Sequence, residues 1–490
     1  MNNKSYPIHL LSVTSLGVLL VTLNLSSLNV ALPELTAHFK ADALESNWIL
    51  LSYMLFTSVL ILVFGKLSDI YGRRTLYLTG LILFTIVSLL CGLSPNVWTL
   101  IILRIIQAAG GALVITNTTP LITDAFKQKD LGTALGINVL VASAAQLLGP
   151  VVGGYLIYML DWRWIFWFNV PIGLIGIIWA FIILRPVPGK LRGEKIDVIG
   201  NLCILFGLGG LVFAFSIGGI IGWNTIPVIV GGSMFVLFGA YFIWWEQRVK
   251  YPSIDFTLFR DRTFAMANLS TFLNSLARSS VVLLIALFYQ VIYKENTFTV
   301  AIHVLPVTVG MIIASPIVGF LSGKYSTKLL STVGLSISAI GMLLLTIHTH
   351  AEASTVWIGI GQFLVGFGSG VFMTPNTKSI MLTVPVEKRG MANGLRSMLQ
   401  NMGTVISTAF SLMLVTSVLP PFLKDSIYQG VNARVTEADM SLISNGFQLA
   451  FAVMTILTLL AIAISFLRDE KREEMIIGTI QATIHPTKGR

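Results

Sequence analysis

Fourteen long apolar runs occupy most of this chain. They lie near residues 10–32, 47–67, 75–93, 98–123, 131–156, 163–184, 197–220, 226–246, 264–290, 299–322, 329–348, 355–382, 391–418 and 445–467. Each is about 19 residues or longer, enough for a helix to cross a bilayer. The break between the seventh and eighth, Ile220 to Pro227, is weak. Only 11% of the 490 residues are charged and 55% are hydrophobic, against roughly 25% charged in a soluble domain. The expected fold is therefore an all-α integral membrane protein of about 14 spans.

Charge placement predicts the orientation. Of the 32 Lys and Arg, 23 fall in the N-terminal segment, the even-numbered loops and the C-terminal tail, and five fall in the odd-numbered loops. By the positive-inside rule both termini are expected in the cytoplasm and the protein in the cell membrane. The net charge of +10 is then topogenic and lipid-facing, and implies no nucleic-acid partner. Residues 1–7 lack a small-residue cleavage site, so no removed signal peptide is expected. Cys91 and Cys203 lie inside apolar segments and read as packing residues.

The two ends of the chain echo one another. Lys129-Asp-Leu-Gly-Thr-Ala-Leu-Gly136 opens the fifth segment as Glu387-Lys-Arg-Gly-Met-Ala-Asn-Gly394 opens the thirteenth. Gln107 to Gly111 is similar to Gly366 to Gly370, and Ser315 to Lys324 is a worn copy of Gly65 to Arg74. This spacing predicts two six-helix bundles, at 1–188 and 259–468. A linker at 189–258 carries two extra transmembrane helices, and 469–490 forms a cytoplasmic tail. Repeated halves with a site between them are a common transporter plan.

Five motifs then converge. Gly65-Lys-Leu-Ser-Asp-Ile-Tyr-Gly-Arg-Arg74 closely resembles the loop joining helices two and three of the major facilitator superfamily. Leu103 to Gly111 resembles that family's fourth-helix motif, and Leu148-Gly-Pro-Val-Val-Gly-Gly154 its fifth-helix exporter motif. Asp161 to Gly173 and Leu28 to Pro33 are similar to the sixth- and first-helix motifs of the fourteen-helix drug:proton antiporter branch. The resemblance implies alternating access, proton antiport and export of a small amphipathic compound. A monomer is expected, with membrane lipid and protons as its other partners.

Roles follow from chemistry at these positions. Asp69, just past the second segment, can cap a helix N-terminus and pair with a basic residue such as Arg73. Gly65, Gly72 and that pair are expected to form a latch. Gly149, Pro150, Gly153 and Gly154 leave the fifth segment thin, so that a tight contact there opposes leakage between the halves. Arg104 lies inside an apolar helix, at a cost on the order of 3 kcal/mol or more.

The departure is in the first segment. Where the branch carries Asp and Thr, this chain has Asn24 and Ser26, and an amide carries no proton near neutral pH. No acidic residue lies mid-span, so Glu34, Arg104, His303 and Asp124 are the candidates for coupling. Polar or amphipathic residues within spans are the cavity candidates: Asn24, Tyr53, Phe56 and Gln107 in the first half, and Asn274, Arg278, Tyr289, Gln290 and Gln362 in the second. Arg396, nearer the cytoplasmic end, reads as snorkelling. The Arg excess allows an anionic or zwitterionic substrate as an alternative, and a sensor or scaffold that has lost coupling is a third reading. The sequence has no CxxC, no HExxH and no sizeable soluble domain, so no enzyme, metal or cofactor is expected. Gly319 to Lys324 is one residue short of a phosphate loop.

Overall fold

A computed structural model describes residues 5–41, 43–185, 197–295, 297–350, 352, 354–419 and 437–469. The C-terminal tail and most of the polar stretch after Arg185 lie outside the described residues. The chain is a multi-pass bundle of helices. The first six spans are α1 (Tyr6–Phe39), α2 (Ala43–Tyr71), α3 (Arg73–Cys91), α4 (Val97–Ala125), α5 (Gln128–Met159) and α6 (Trp164–Ile183). The extra pair is α7 (Val198–Ile221) and α8 (Ile226–Glu246). The last six are α9 (Arg262–Val291), α10 (Leu305–Leu321), α11 (Thr327–His348), α12 (Thr355–Thr383), α13 (Arg389–Ser417) and α14 (Glu437–Phe466).

Local chemistry sets the boundaries. Asn96 starts α4 by accepting the Thr99 N–H at 2.9 Å, and Asp261 starts α9 by accepting from Phe264 at 3.1 Å. The weak break at 220–227 is a true turn. Gly222 adopts φ +95, which a side chain would resist, and Pro227 opens α8. Two expectations need correction. The charged stretch 65–74 is hardly a loop: α2 runs through Tyr71, α3 begins at Arg73, and only Gly72 (φ +97) lies between. Nothing in Lys66 to Tyr71 breaks a helix, so the turn collapses onto its one glycine. The tenth segment is two helices, Thr297–His303 and α10, because Pro306 has no N–H to continue the first.

Packing joins the halves along two seams. In one, α2 lies against α13; in the other, α5 lies against α10. Both are narrow because glycines meet backbone. A Cβ on Gly65 would lie 2.6 Å from the Gly390 carbonyl oxygen, and one on Gly136 would lie 2.6 Å from that of Ser315. α7 packs on both α2 and α13, sharing an apolar cluster with them that includes Leu55, Leu62, Leu208 and Leu395. α8 packs mainly on α7. The segment after α8 straps the first seam. Lys66 Nζ on α2 donates to the Tyr251 and Pro252 carbonyls at 2.6 and 2.7 Å, and Lys388 Nζ, just before α13, pairs with Asp255 at 2.5 Å.

Candidate functional site: a cavity between the halves and its seal

A cavity of about 250 Å³ lies between the two halves. In the first half α5 supplies Asn138 and Gln146, and α4 supplies Thr118 and Thr119. In the second half Arg278 comes from α9, Met311 from α10, and Arg396 and Gln400 from α13. The Asn138 and Gln146 positions are eight residues apart, so they share one face of α5. Arg396 and Gln400, four apart, do the same on α13. Arg278 sits beside a small interruption of α9 at Ser279. A side pocket lined by Asn274, Ser275 and Asn376 shares both arginines with the main cavity.

The electrostatics are one-sided. No Asp, Glu or His lines either space among the described residues. Arg396 is held by neutral groups: Asn393 Oδ1 at 3.2 Å, Gln400 Oε1 at 3.0 Å and Ser397 Oγ at 2.9 Å. Among the described residues, four buried atoms on the lining have no hydrogen-bond partner: Asn138 Nδ2, Ser143 Oγ, Arg278 Nε and Thr374 Oγ1.

The seal lies at the end that bears the 65–74 turn, called inner here after the charge-based orientation. Asp69, 4% exposed, accepts the backbone N–H groups of Gly390 and Met391 at 3.1 and 3.0 Å. Both N–H groups belong to the first turn of α13, where the helix itself supplies no acceptor, so the carboxylate caps that helix across the seam. Arg73 Nη2 donates to Asp69 at 3.3 Å and to the Val386 carbonyl at 3.0 Å, and Arg73 also pairs with Asp124. Asp124 in turn accepts from Arg389 at 2.8 Å. Just below, Asn393 Nδ2 donates to the Thr116 carbonyl at 2.8 Å. The described hydrogen bonds between the halves lie at this inner end. The structure is therefore an inner-closed state.

Several expected residues belong elsewhere. Asp69 lies within the last turn of α2, not beyond it. Arg104 is fully buried inside the first half, not on the cavity. Its Nη1 donates to Asn24 Oδ1 at 2.8 Å and Gln107 Oε1 at 2.5 Å, and its guanidinium lies 4.2 Å over the Tyr53 ring. Gln107 passes the chain on to Ser88 Oγ at 2.7 Å. Asn24, Tyr53, Gln107 and Arg104 thus form one buried polar knot, with no carboxylate in it among the described residues. Phe56 packs between two apolar clusters. Tyr289 is buried, stacked 4.2 Å from His303, whose Nε2 is 3.4 Å from Glu295. Gln290 and Gln362 also lie off the cavity wall, Gln362 fully buried. Glu34 is exposed on α1. Polarity inside a span marks a helix interior as readily as a cavity, which is why these residues were misplaced.

The glycines of α5 also need correction. A Cβ on Gly149 or Gly153 would strike Ser26 or Ser27 of α1. The close contact is inside the first bundle rather than between the halves. Pro150 is exposed and Gly154 half-buried on the same helix. Asn138, Gln146, Gln400 and Asn401 were missed, although the eight-residue spacing of Asn138 and Gln146, and the four-residue spacing of Arg396 and Gln400, were readable. Of the cavity candidates, the structure places Arg278 on the wall and Asn274 in its side pocket.

The Major Facilitator Superfamily profile matches residues 14–201 and 267–483. Multidrug resistance protein Stp of Mycobacterium tuberculosis (strain CDC 1551 / Oshkosh) is 32% identical over 418 residues, 85% of this chain and 76% of that protein. Multidrug resistance protein 3 of Bacillus subtilis (strain 168) is 30% identical over 393 residues, 77% of this chain and 74% of that one. In fold, the chain is similar to the proton:xylose symporter XylE, with a TM-score of 0.65 at 16% identity, over 95% of this chain and 96% of that one. With the paired seams and central cavity described above, the profile match makes the assignment: the chain belongs to the Major Facilitator Superfamily.

Proposed function

We propose that the chain is a secondary active exporter of lipophilic or amphipathic compounds, working by alternating access in the cell membrane as a monomer with both termini cytoplasmic. The observation that carries this reading is the cavity between the halves, closed at one end by bonds that can break. Two relatives at about 30% identity are named for multidrug resistance, which supports the substrate class and the direction. A concave space lined by both apolar and polar side chains suits a small amphipathic molecule.

Proton antiport is the coupling the family resemblance implies, but the first-helix site holds an amide. The carboxylates placed to act are Asp69 and Asp124 in the seal. A proton on Asp69 would weaken its hold on Arg73 and on both α13 N–H groups, and so favour inner opening. The test is purified protein in liposomes, with a panel of toxic amphiphiles and an imposed pH gradient or membrane potential. Gradient-dependent flux is expected. Absence of flux for every compound under both gradients would favour a non-transporting sensor instead.

A further inference from the structure

We infer that the central cavity is built for an anionic amphiphile, with Arg278 and Arg396 as the clamp for its negative group. This rests on the exporter reading and narrows its substrate class.

Three observations carry it. First, both arginines line the cavity and its side pocket, and no acidic residue faces them there among the described residues. Fixed positive charge in a low-dielectric space without a counter-charge attracts an anion and repels a cation. Second, the unpartnered buried atoms on lining residues match an acceptor. Asn138 Nδ2 and Arg278 Nε can only donate, and the Ser143 and Thr374 hydroxyls can donate. A carboxylate, sulfonate or phosphate offers the acceptors they lack; a cation offers none. Third, the wall also carries apolar surface beside its neutral polar groups. Val18, Ile61, Met311 and Met373 give the hydrocarbon part a surface, and methionine adapts to varied shapes.

The clamp is also wired to the seal. Arg396 Nε donates to Asn393 Oδ1, and Asn393 Nδ2 donates across the seam to Thr116. An anion that draws the guanidinium toward the cavity loosens the side chain that bridges α13 to α4. Occupancy and inner opening then share one element.

The experiment compares two xanthene dyes of similar size and opposite charge, fluorescein and rhodamine 123, in proteoliposomes of the full chain. Wild-type protein is expected to move fluorescein at least tenfold faster than rhodamine 123. Arg278→Gln and Arg396→Gln should each raise the fluorescein KM about tenfold or more, and Arg278→Lys and Arg396→Lys should recover part of it. Equal or faster transport of rhodamine 123 by wild-type protein would overturn the inference and leave the exporter reading standing. So would Gln variants that keep wild-type melting and slow both dyes alike, since that is a structural role. If neither dye nor any other amphiphile moves, the exporter reading itself fails. The wild-type dye comparison requires no variant to fold.

Discussion

Replacing Asp69 with Asn tests the seal directly. The carboxylate accepts three donors: the Gly390 N–H, the Met391 N–H and Arg73 Nη2. Its side chain is only 1% exposed, so water cannot take over. A hydrogen bond to a charged group contributes about 1.5–3 kcal/mol. Asparagine keeps one neutral acceptor and turns an NH₂ toward a second donor. The inner-closed state should therefore lose about 3 kcal/mol, roughly a hundredfold in its ratio to the inner-open state. The readout is a cysteine placed at Thr119, on the cavity wall behind the seal. The native thiols, Cys91 and Cys203, are free but buried, so background reaction is low. A membrane-impermeant maleimide applied from the sealed side should label Asp69→Asn tens of times faster than the parent, with fluorescein binding retained. Unchanged labelling in a folded variant would refute the latch, and lost dye binding would show that Asp69 is part of the substrate site.

Three further outcomes are expected. Gly65→Ala places a methyl 2.6 Å from the Gly390 carbonyl; backbone there cannot yield, so the seam should open at a cost of about 1–3 kcal/mol, and wild-type protection of the Thr119 cysteine in that variant would contradict it. Asn24→Asp puts a carboxylate where Arg104 Nη1 now donates at 2.8 Å to an amide. It should raise the melting temperature in detergent at neutral pH, because it gives a buried cation its missing partner, and a lower melting temperature would refute the pairing. The third concerns pH. Burial pushes the Asp255 carboxyl up, but the Lys388 ammonium and the Thr257 hydroxyl and N–H outweigh it and hold the group below its usual value. A carboxyl lowered in the folded state stabilises fully above its unfolded pKa, about 3.9, and loses that contribution only as pH falls through the lower folded value. Hydrogen exchange at the Thr257 amide, which donates to Asp255 at 2.9 Å, should thus stay protected from neutral pH down to about 4; its loss of protection between pH 7 and 5 would disprove it.

The architecture was readable because hydrophobic length is a strong signal. All fourteen apolar runs are helical, the tenth as two helices broken before Pro306, and Gly222 and Pro227 divide the doubtful pair. The site was less readable. Asp69, Arg73 and Asp124 lie about one turn from an end of their spans, where charge is expected, and the structure brings them together. Arg104 is as polar as Arg278, yet it faces Asn24 and Tyr53 on neighbouring helices of its own half. A single sequence shows that a polar residue is inside a span, not which neighbour it meets. The strap at 251–255 was unreadable for a different reason: Lys66 binds main-chain carbonyls, which have no sequence signature.

The placement of α7 makes the molecule lopsided. It covers the α2–α13 seam from the lipid side, while no comparable helix covers the α5–α10 seam among the described residues. A compound dissolved in the bilayer therefore meets one shuttered flank and one bare one.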